Sequence, residues 1–177
     1  MEQISFSMKA AQIITFLENK GVKHVFMVAG GQIMYLTDEL YKSKIKPICC
    51  HHEQASGMAA EAYARISGFG VVFVTAGPGA INAINGVVGA WVDSSPLLII
   101  SGASSGDNVR YMEQNKIRQY GLQGINIRPV VESIVKHFET IRVDTDIEKL
   151  MSKSYTLATE GRKGPVWLEL PLDVSRS

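Results

Sequence analysis

The chain has 177 residues, which is enough for one domain with a complete hydrophobic core, and a single domain is expected over residues 1–177. Charge is nearly balanced, with 18 Lys and Arg against 17 Asp and Glu, and no basic run is interleaved with aromatics. The composition therefore gives no indication of nucleic acid or an acidic surface as partner. The N-terminus also lacks the apolar core and cleavage site of a signal peptide.

Apolar periodicity and turn residues predict alternating helices and strands in the first half of the chain. The first helix is expected to have Ser7 as its N-cap and Gly21 just past its end. In chain order, we expect a helix at 7–19, a strand at 24–28, a helix at 32–42, a strand at 45–50, a helix at 54–66 and a strand at 71–75.

The second half continues the alternation with weaker signals. We expect a turn at 76–80, a helix at 81–92, a strand at 97–101, a loop with a short helix at 102–128, a strand at 134–141, a helix at 146–159 and a strand at 166–170. Strands that are apolar throughout and alternate with helices are typical of a parallel sheet covered on both faces. The predicted fold class is therefore α/β, a doubly wound parallel sheet with helices on both faces.

Residues 66–92 carry no charge and have the length of a membrane span. Many glycines, a proline and two asparagines interrupt them, which favours a strand, a tight turn and a buried helix. No membrane association is expected.

The run of five residues from Cys49 to Glu53, CCHHE, contains only metal-binding residue types. Side chains of consecutive residues diverge, so few of them could reach one ion, and no metal site is expected here. Adjacent cysteines on a strand point to opposite faces, which makes a disulfide between Cys49 and Cys50 unfavourable. Unpaired cysteines indicate a reducing compartment, and a cytoplasmic protein is expected.

Three predicted strand ends carry residues suited to ligand binding. They lead into Gly30-Gly31, Glu53, and the turn from Gly77 to Asn82. In a doubly wound sheet these ends meet at one edge, so a site with one carboxylate is expected there. Three alternatives remain open on the residues alone. Glu53 could simply complement a helix dipole, and Gly77-Pro78-Gly79 could serve a non-catalytic nucleotide-binding module, although Asn82 occupies the third glycine position of that fingerprint. The small residues of the helices at 54–66 and 81–92 could also serve a purely structural dimerisation module.

Five stretches in order carry a resemblance that covers nearly the whole chain. They are GVKHVFMVAGGQ at 21–32, HHEQASGMAAEAYAR at 51–65, GVVFVTAGPGAINAINGVVGAWVDSSPLLIISG at 70–102, RPVVESIVKHF at 128–138 and GPVWLELPLDV at 164–174. Together they resemble the N-terminal, pyrimidine-binding domain of thiamine-diphosphate enzymes in the acetolactate synthase and pyruvate oxidase group.

The resemblance implies that Glu53 contacts N1′ of the cofactor aminopyrimidine and activates the cofactor by sharing a proton with it. The cofactor-binding residues that it implies are Ala29, Gly30, Glu53, Thr75, Pro78, Gly79 and Asn82. Gly31, His52 and Gln123 are implied on the substrate side. Ala29 replaces the family's proline, and Leu122 and Gly124 replace an aromatic and an acid, so the resemblance specifies the domain more closely than the substrate.

The family holds the diphosphate and Mg²⁺ through a Gly-Asp-Gly…Asn segment in a separate domain, and this sequence has no such segment. The resemblance therefore implies thiamine diphosphate as cofactor, a small 2-keto acid as substrate, and the diphosphate-binding domain of another chain as partner, in a homodimer or homotetramer. It also allows FAD elsewhere in the complete protein. The chain is expected to be the first domain of a longer enzyme, with one subunit of a split two-chain 2-keto-acid decarboxylase as the alternative.

Overall fold

The computed structural model describes residues 8–177. In this range six strands form one sheet, namely β1 His24–Met27, β2 Lys46–Cys49, β3 Gly70–Val74, β4 Leu97–Ala103, β5 His137–Thr140 and β6 Pro165–Pro171. All neighbouring strands are parallel, in the order β2-β1-β3-β4-β6-β5. The predicted α/β fold with a parallel sheet is confirmed.

The helices connect these strands. They are α1 Lys9–Asn19, α2 Met34–Lys42, α3 Glu53–Ser67, α4 Pro78–Asn82, α5 Ile84–Asp93, α6 Gly106–Asn115, α7 Arg128–Val131, α8 Ile147–Thr159 and α9 Leu172–Ser175, with 3₁₀ turns at Gly31–Ile33 and Glu132–Ile134. In the part of the chain that the structure describes, no helix is both long and apolar enough to span a bilayer.

The sheet separates two hydrophobic cores, and the central strand β3 contributes to both. Val71 and Phe73 face the core shared with α1, α2 and α8, while Val72 and Val74 face the core shared with α3, α5 and α7. Because successive strand residues point to opposite faces and both faces are covered, every residue of β3 is buried. This explains why the strand is apolar throughout rather than alternating.

Several predicted elements differ from the structure at their ends. The expected N-cap Ser7 lies outside the described residues, and α1 begins at Lys9 after Met8. The expected strand at 134–141 is shorter, because the chain completes a 3₁₀ turn at Glu132–Ile134 before β5 starts. The expected helix at 81–92 is two helices. It starts earlier, because Pro78 at the first helical position initiates α4, and it is interrupted at Ala83 before α5.

Helices α3 and α5 cross with their backbones in contact at two glycines. A Cβ on Gly86 would lie 2.6 Å from Gly57 Cα, and one on Gly57 would lie 2.9 Å from the carbonyl oxygen of Ala83. The two helices therefore pack closely against each other inside the domain. Only glycine allows this separation, since any side chain at either position would force the helices apart.

A buried carboxylate fixes the far end of the same helix pair. Glu61 Oε1 on α3 accepts hydrogen bonds of 2.6 Å from Arg65 Nε and from Ser95 Oγ, and Arg65 also reaches Asp93 at the end of α5. Burial alone would raise the pKa of Glu61, but the hydrogen bonds from Arg65 and Ser95 outweigh it, and the pKa is lowered. Glu61 is thus held ionised between the two helices.

Candidate functional site

The candidate site lies at the carboxyl edge of the sheet, where the strand order reverses. From β1 the chain adds β2 on one side and β3 on the other. Such a reversal leaves a crevice beyond the strand ends, which is where ligands bind in doubly wound sheets. The residues that follow β1, β2 and β3 lead into Gly30, Glu53 and Gly77.

Glu53 is the first residue of α3, and its carboxylate has a partner across the crevice. His52 is the N-cap, and its Nδ1 accepts a 3.1 Å hydrogen bond from the backbone nitrogen of Gln54. Asn82 Nδ2, at the end of α4, donates a 3.0 Å hydrogen bond to Glu53 Oε2. The carboxylate therefore occupies the positive end of the α3 dipole and is also oriented towards the turn after β3.

Two glycines let the backbone pack closely against this carboxylate and against Thr75. A Cβ on Gly79 would lie 3.0 Å from Glu53 Oε1 and 2.7 Å from Thr75 Cγ2, and a Cβ on Gly30 would lie 2.7 Å from Thr75 Oγ1. Gly30, Glu53, Thr75, Gly79 and Asn82 together line what we call the Glu53 crevice. Thr75 Oγ1 is buried there without a hydrogen-bond partner among residues 8–177, so the crevice offers a polar group in need of a ligand atom.

A loop at residues 119–127, which we call the Gln123 loop, covers the Gly77 turn. Gly77 has φ +56°, and a Cβ on it would overlap the carbonyl oxygen of Gln123. Gln32 Nε2 donates a 3.4 Å hydrogen bond to the carbonyl of Leu122. Glycine is therefore required at position 77 for two reasons. Its backbone has a positive φ, and its contact with the loop leaves no space for a side chain.

The other predicted site residues lie around this group. Ala29, Gly31, His52, Pro78 and Gln123 are exposed, next in sequence to residues of the crevice or, for Gln123, against Gly77. A Cβ on Gly31 would meet no atom within 4 Å, so this position borders open space. The structure thus brings five predicted residues into one crevice and leaves five at its margin.

Geometry explains why the CCHHE run forms no cluster. β2 ends at Cys49 and α3 begins at Glu53, so the backbone turns between them and the side chains diverge. Both thiols are free, with Cys49 exposed and Cys50 half-buried. Across residues 8–177, no group of three or more His, Cys, Asp and Glu is arranged to hold a metal ion.

Sequence reasoning missed one titratable residue close to the site. Glu169, in β6, is 5% exposed, and Thr140 Oγ1 donates a 2.8 Å hydrogen bond to its Oε2. Burial raises the pKa of Glu169 to about 7, although the hydrogen bond from Thr140 opposes the change. The available signal was a single carboxylate inside the apolar run PVWLELP.

A separate cleft of about 500 Å³ opens elsewhere on the sheet edge, between the start of α6 and the ends of β5 and β6. None of the predicted site residues lines it. The predicted site residues and this cleft are therefore different features. We place the candidate site at the Glu53 crevice because a carboxylate and an unpartnered hydroxyl converge there.

Comparison with known proteins identifies the domain. The family described as "Thiamine pyrophosphate enzyme, N-terminal TPP binding domain" matches residues 8–127. The acetolactate synthase large subunit of Buchnera aphidicola subsp. Schizaphis graminum is 38% identical over 167 residues, and acetolactate synthase isozyme 3 large subunit of Escherichia coli K12 is 37% identical over 167. The large subunit of Pyropia yezoensis is 35% identical over 170 residues.

Each of these matches covers 93% of this chain and 28% of the relative, so the chain spans little more than a quarter of the length of the curated relatives. The resemblance inferred from the motifs is confirmed. The chain belongs to the thiamine pyrophosphate enzymes as an N-terminal TPP-binding domain, and it is similar to that of acetolactate synthase large subunits.

Proposed function

We propose that this chain is the pyrimidine-binding domain of a thiamine-diphosphate-dependent enzyme that acts on small 2-keto acids, as an acetolactate synthase-like transferase or lyase. The observation that carries the proposal is the Glu53 carboxylate, held by Asn82 at a glycine-lined crevice beside the unpartnered Thr75 hydroxyl. The similarity to acetolactate synthase large subunits supports the same assignment.

The residues of the Glu53 crevice fit the pyrimidine end of this cofactor. An aminopyrimidine is flat and carries ring nitrogens and an amino group, which need hydrogen-bond partners when buried. Glu53 and Thr75 supply a carboxylate and a hydroxyl. Gly30 and Gly79 let the backbone lie directly against Thr75 and Glu53, so that these two polar side chains are held close to each other.

When bound, thiamine diphosphate supplies the electron sink for carbanion chemistry on the keto acid. Glu53 holds and releases a proton at its carboxylate, towards the ring nitrogen of the pyrimidine. The amide of Asn82 fixes one carboxylate oxygen and so orients the group. We assign the keto-acid side to Gln123, which lies on the loop that contacts Gly77.

Another domain is needed to complete this site. We propose that the diphosphate and Mg²⁺ are held by the diphosphate-binding domain of another chain, in a cytoplasmic homodimer or homotetramer, and that this domain alone is inactive. Two observations support a covering chain. The relatives are more than three times as long, and the helix pair α3 and α5 leaves Met58, Trp91 and Val92 exposed at 52%, 40% and 64%.

The decisive variant is Glu53→Gln in the complete enzyme. It keeps the shape and the acceptor for Asn82 but removes the proton exchange, so turnover of a 2-keto acid should fall by roughly 10²–10⁴. Circular dichroism checks that the fold is kept, and Glu132→Gln, an exposed carboxylate far along the chain, is the matched control. Unchanged turnover in Glu53→Gln contradicts the proposal.

Ligand binding separates this proposal from its alternatives. Titration calorimetry of the enzyme should show heat with thiamine diphosphate and Mg²⁺. Micromolar binding of NAD or ATP with no response to thiamine diphosphate would instead support a nucleotide-binding module. Sequencing the coding region beyond codon 177 distinguishes a longer enzyme from a split two-chain decarboxylase, because only the former continues into the Gly-Asp-Gly…Asn segment.

A further inference from the structure

We propose that Glu169 and Ser104 are positioning residues for the Gln123 loop, acting through one water molecule held between them beneath that loop. The proposal rests on the proposed function only in that Gln123 is taken to face the substrate. The evidence is a small polar cavity under the loop that the chemistry at Glu53 does not use.

Glu169 reaches this cavity from the sheet. In register it lies between Thr140 on β5 and Ser101 on β4, and it is 5% exposed. One oxygen of its carboxyl accepts from Thr140. A carboxyl group inside a sheet is costly unless its hydrogen-bonding capacity is used, so a single hydroxyl partner leaves capacity for a further bond.

Ser104 provides a second polar group, from the end of the neighbouring strand. It follows the end of β4, is 5% exposed, and its Oγ has no hydrogen-bond partner among the described residues. Both Ser104 and Glu169 line a cavity of about 10 Å³, which is about the least volume that holds one water molecule. Buried waters in proteins occupy such places, where they satisfy polar groups that lack other partners.

The roof of the same cavity is the Gln123 loop. Gln123 and Gly124 line it together with Gly77. A Cβ on Gly121 or Gly124 would lie 3.1 or 3.2 Å from Ser104 Oγ, so the hydroxyl lies directly under the loop backbone. A water bonded to Glu169 and Ser104 is therefore placed to support the backbone on which Gln123 is carried.

The charges around Glu169 make this support sensitive to protonation. The charged groups that act on it are Glu113 on α6, which raises its pKa, and Arg128 on α7, which lowers it, while burial is the largest influence and raises it. Each is engaged elsewhere, since Arg142 lies 3.8 Å from Glu113 and the Arg128 guanidinium lies over the Phe138 ring. The carboxyl is thus protonated below about pH 7 and can donate to the water.

Hydrogen exchange of the complete enzyme tests the proposal without depending on turnover. In Ser104→Ala, backbone amides at 119–127 should exchange roughly tenfold faster, as expected for one lost hydrogen bond of support. Ser154→Ala is the matched control, since Ser154 is also buried with an unpartnered Oγ but lies on α8. In Ser154→Ala, the backbone amides at 119–127 should exchange at the same rate as in the parent. Equal exchange at 119–127 in Ser104→Ala and the parent overturns the proposal.

Glu169→Gln provides the second arm. In the parent, protection of residues 119–127 relative to intrinsic exchange should weaken as the pH rises from 6 to 8, and in Glu169→Gln it should stay constant. KM for the keto acid should rise in Ser104→Ala while kcat stays within roughly twofold, because positioning rather than chemistry is affected. A pH dependence that survives in Glu169→Gln contradicts the role of Glu169. If Glu53→Gln did not lower turnover, the proposed function would be contradicted. The exchange results would still test whether Ser104 and Glu169 support the Gln123 loop.

Discussion

Asn82 Nδ2 and Glu53 Oε2 lie 3.0 Å apart across the crevice, although 29 positions separate them in the sequence. Asn82 ends α4 and Glu53 begins α3, so the bond joins the two walls of the site. It also uses an amide, which donates without competing for the proton that Glu53 exchanges in the proposed chemistry.

Removing this amide should weaken cofactor binding. We expect Asn82→Ala in the complete enzyme to lower the affinity for thiamine diphosphate by roughly tenfold or more, because a hydrogen bond to a charged group contributes about 1.5–3 kcal/mol. Titration calorimetry measures the change. Asn85→Ala removes an exposed amide from α5 and should leave the affinity unchanged. Equal affinities in the two variants would contradict a role for Asn82.

The two glycines on the inner face and the outer face of α5 should respond in opposite directions. Gly86→Ala places a methyl group against the backbone of Gly57 and should destabilise the fold by about 1–3 kcal/mol. Gly89→Ala meets no atom within 4 Å and should stabilise it by about 0.5–1 kcal/mol through helix propensity. Denaturant unfolding compares them. A neutral Gly86→Ala would show that the helices can separate at no cost.

A similar pair isolates the contact between the Gly77 turn and the Gln123 loop. Gly68 and Gly77 both have positive φ, at +87° and +56°. An alanine should cost about 1–2 kcal/mol in backbone strain at Gly68, which is in the left-handed helical region, and more at Gly77, where ψ is −115°. Only Gly77 also touches Gln123. Gly77→Ala should therefore cost more and raise KM for the keto acid, whereas Gly68→Ala should leave KM unchanged. Matching KM values would argue against the loop contact.

Glu169 should give the domain a pH-dependent stability with a defined sign. Below pH 4.5 the carboxyl is protonated in both states, and between 4.5 and about 7 it ionises in the unfolded chain while it stays protonated in the fold. Its contribution to stability is thus complete below pH 4.5 and is lost as the pH rises towards 7. The difference between the ordinary pKa of 4.5 and the folded pKa of about 7 corresponds to about 3 kcal/mol in the free energy of unfolding.

Comparing the parent with Glu169→Gln tests this sign. The free energy of unfolding of the parent should fall relative to that of Glu169→Gln as the pH is raised from 4.5 to 7, because the amide does not titrate. Denaturant unfolding at each pH gives the difference. A constant difference would mean that Glu169 has its ordinary pKa in the fold, and it would also remove the electrostatic support for the water-linked loop.

The alternation of apolar strands and helices was enough to predict the parallel sheet and the edge at which Glu53 lies, because strand ends of a parallel sheet converge. Motif resemblance then identified the domain. The contact of Gly77 with Gln123 could not be foreseen, since nothing local links a turn after β3 to a loop 46 positions later. The break at Ala83 was also hidden, because the residues on both sides have helical periodicity and Ala83 itself keeps helical backbone angles.

Glu169 shows a different gap between sequence and structure. Its position in an apolar run was visible, but the run alone does not tell whether the carboxylate points to solvent at a strand edge or into the molecule. The placement of β6 between β4 and β5 decides this, and that order depends on the crossover through α8. The strand order of the sheet therefore determines that Glu169 is buried and that its pKa is raised.

The contact between Gly57 and Gly86 fixes the geometry of the two helices that carry the site, whereas other segments of the domain can change in sequence. Glu53 opens α3 and Asn82 immediately precedes the break before α5, so the spacing of the two side chains is set by a helix crossing and not by any loop. The tip of the Gln123 loop contacts the turn at Gly77, and its last residues, Ile125 and Ile127, pack in the same hydrophobic core as α3 and α5. Under the proposed function, we expect that loops from other members of the family, grafted at 119–124 with Ile125 and Ile127 kept, would change the substrate while the crossing keeps Glu53 and Asn82 in register.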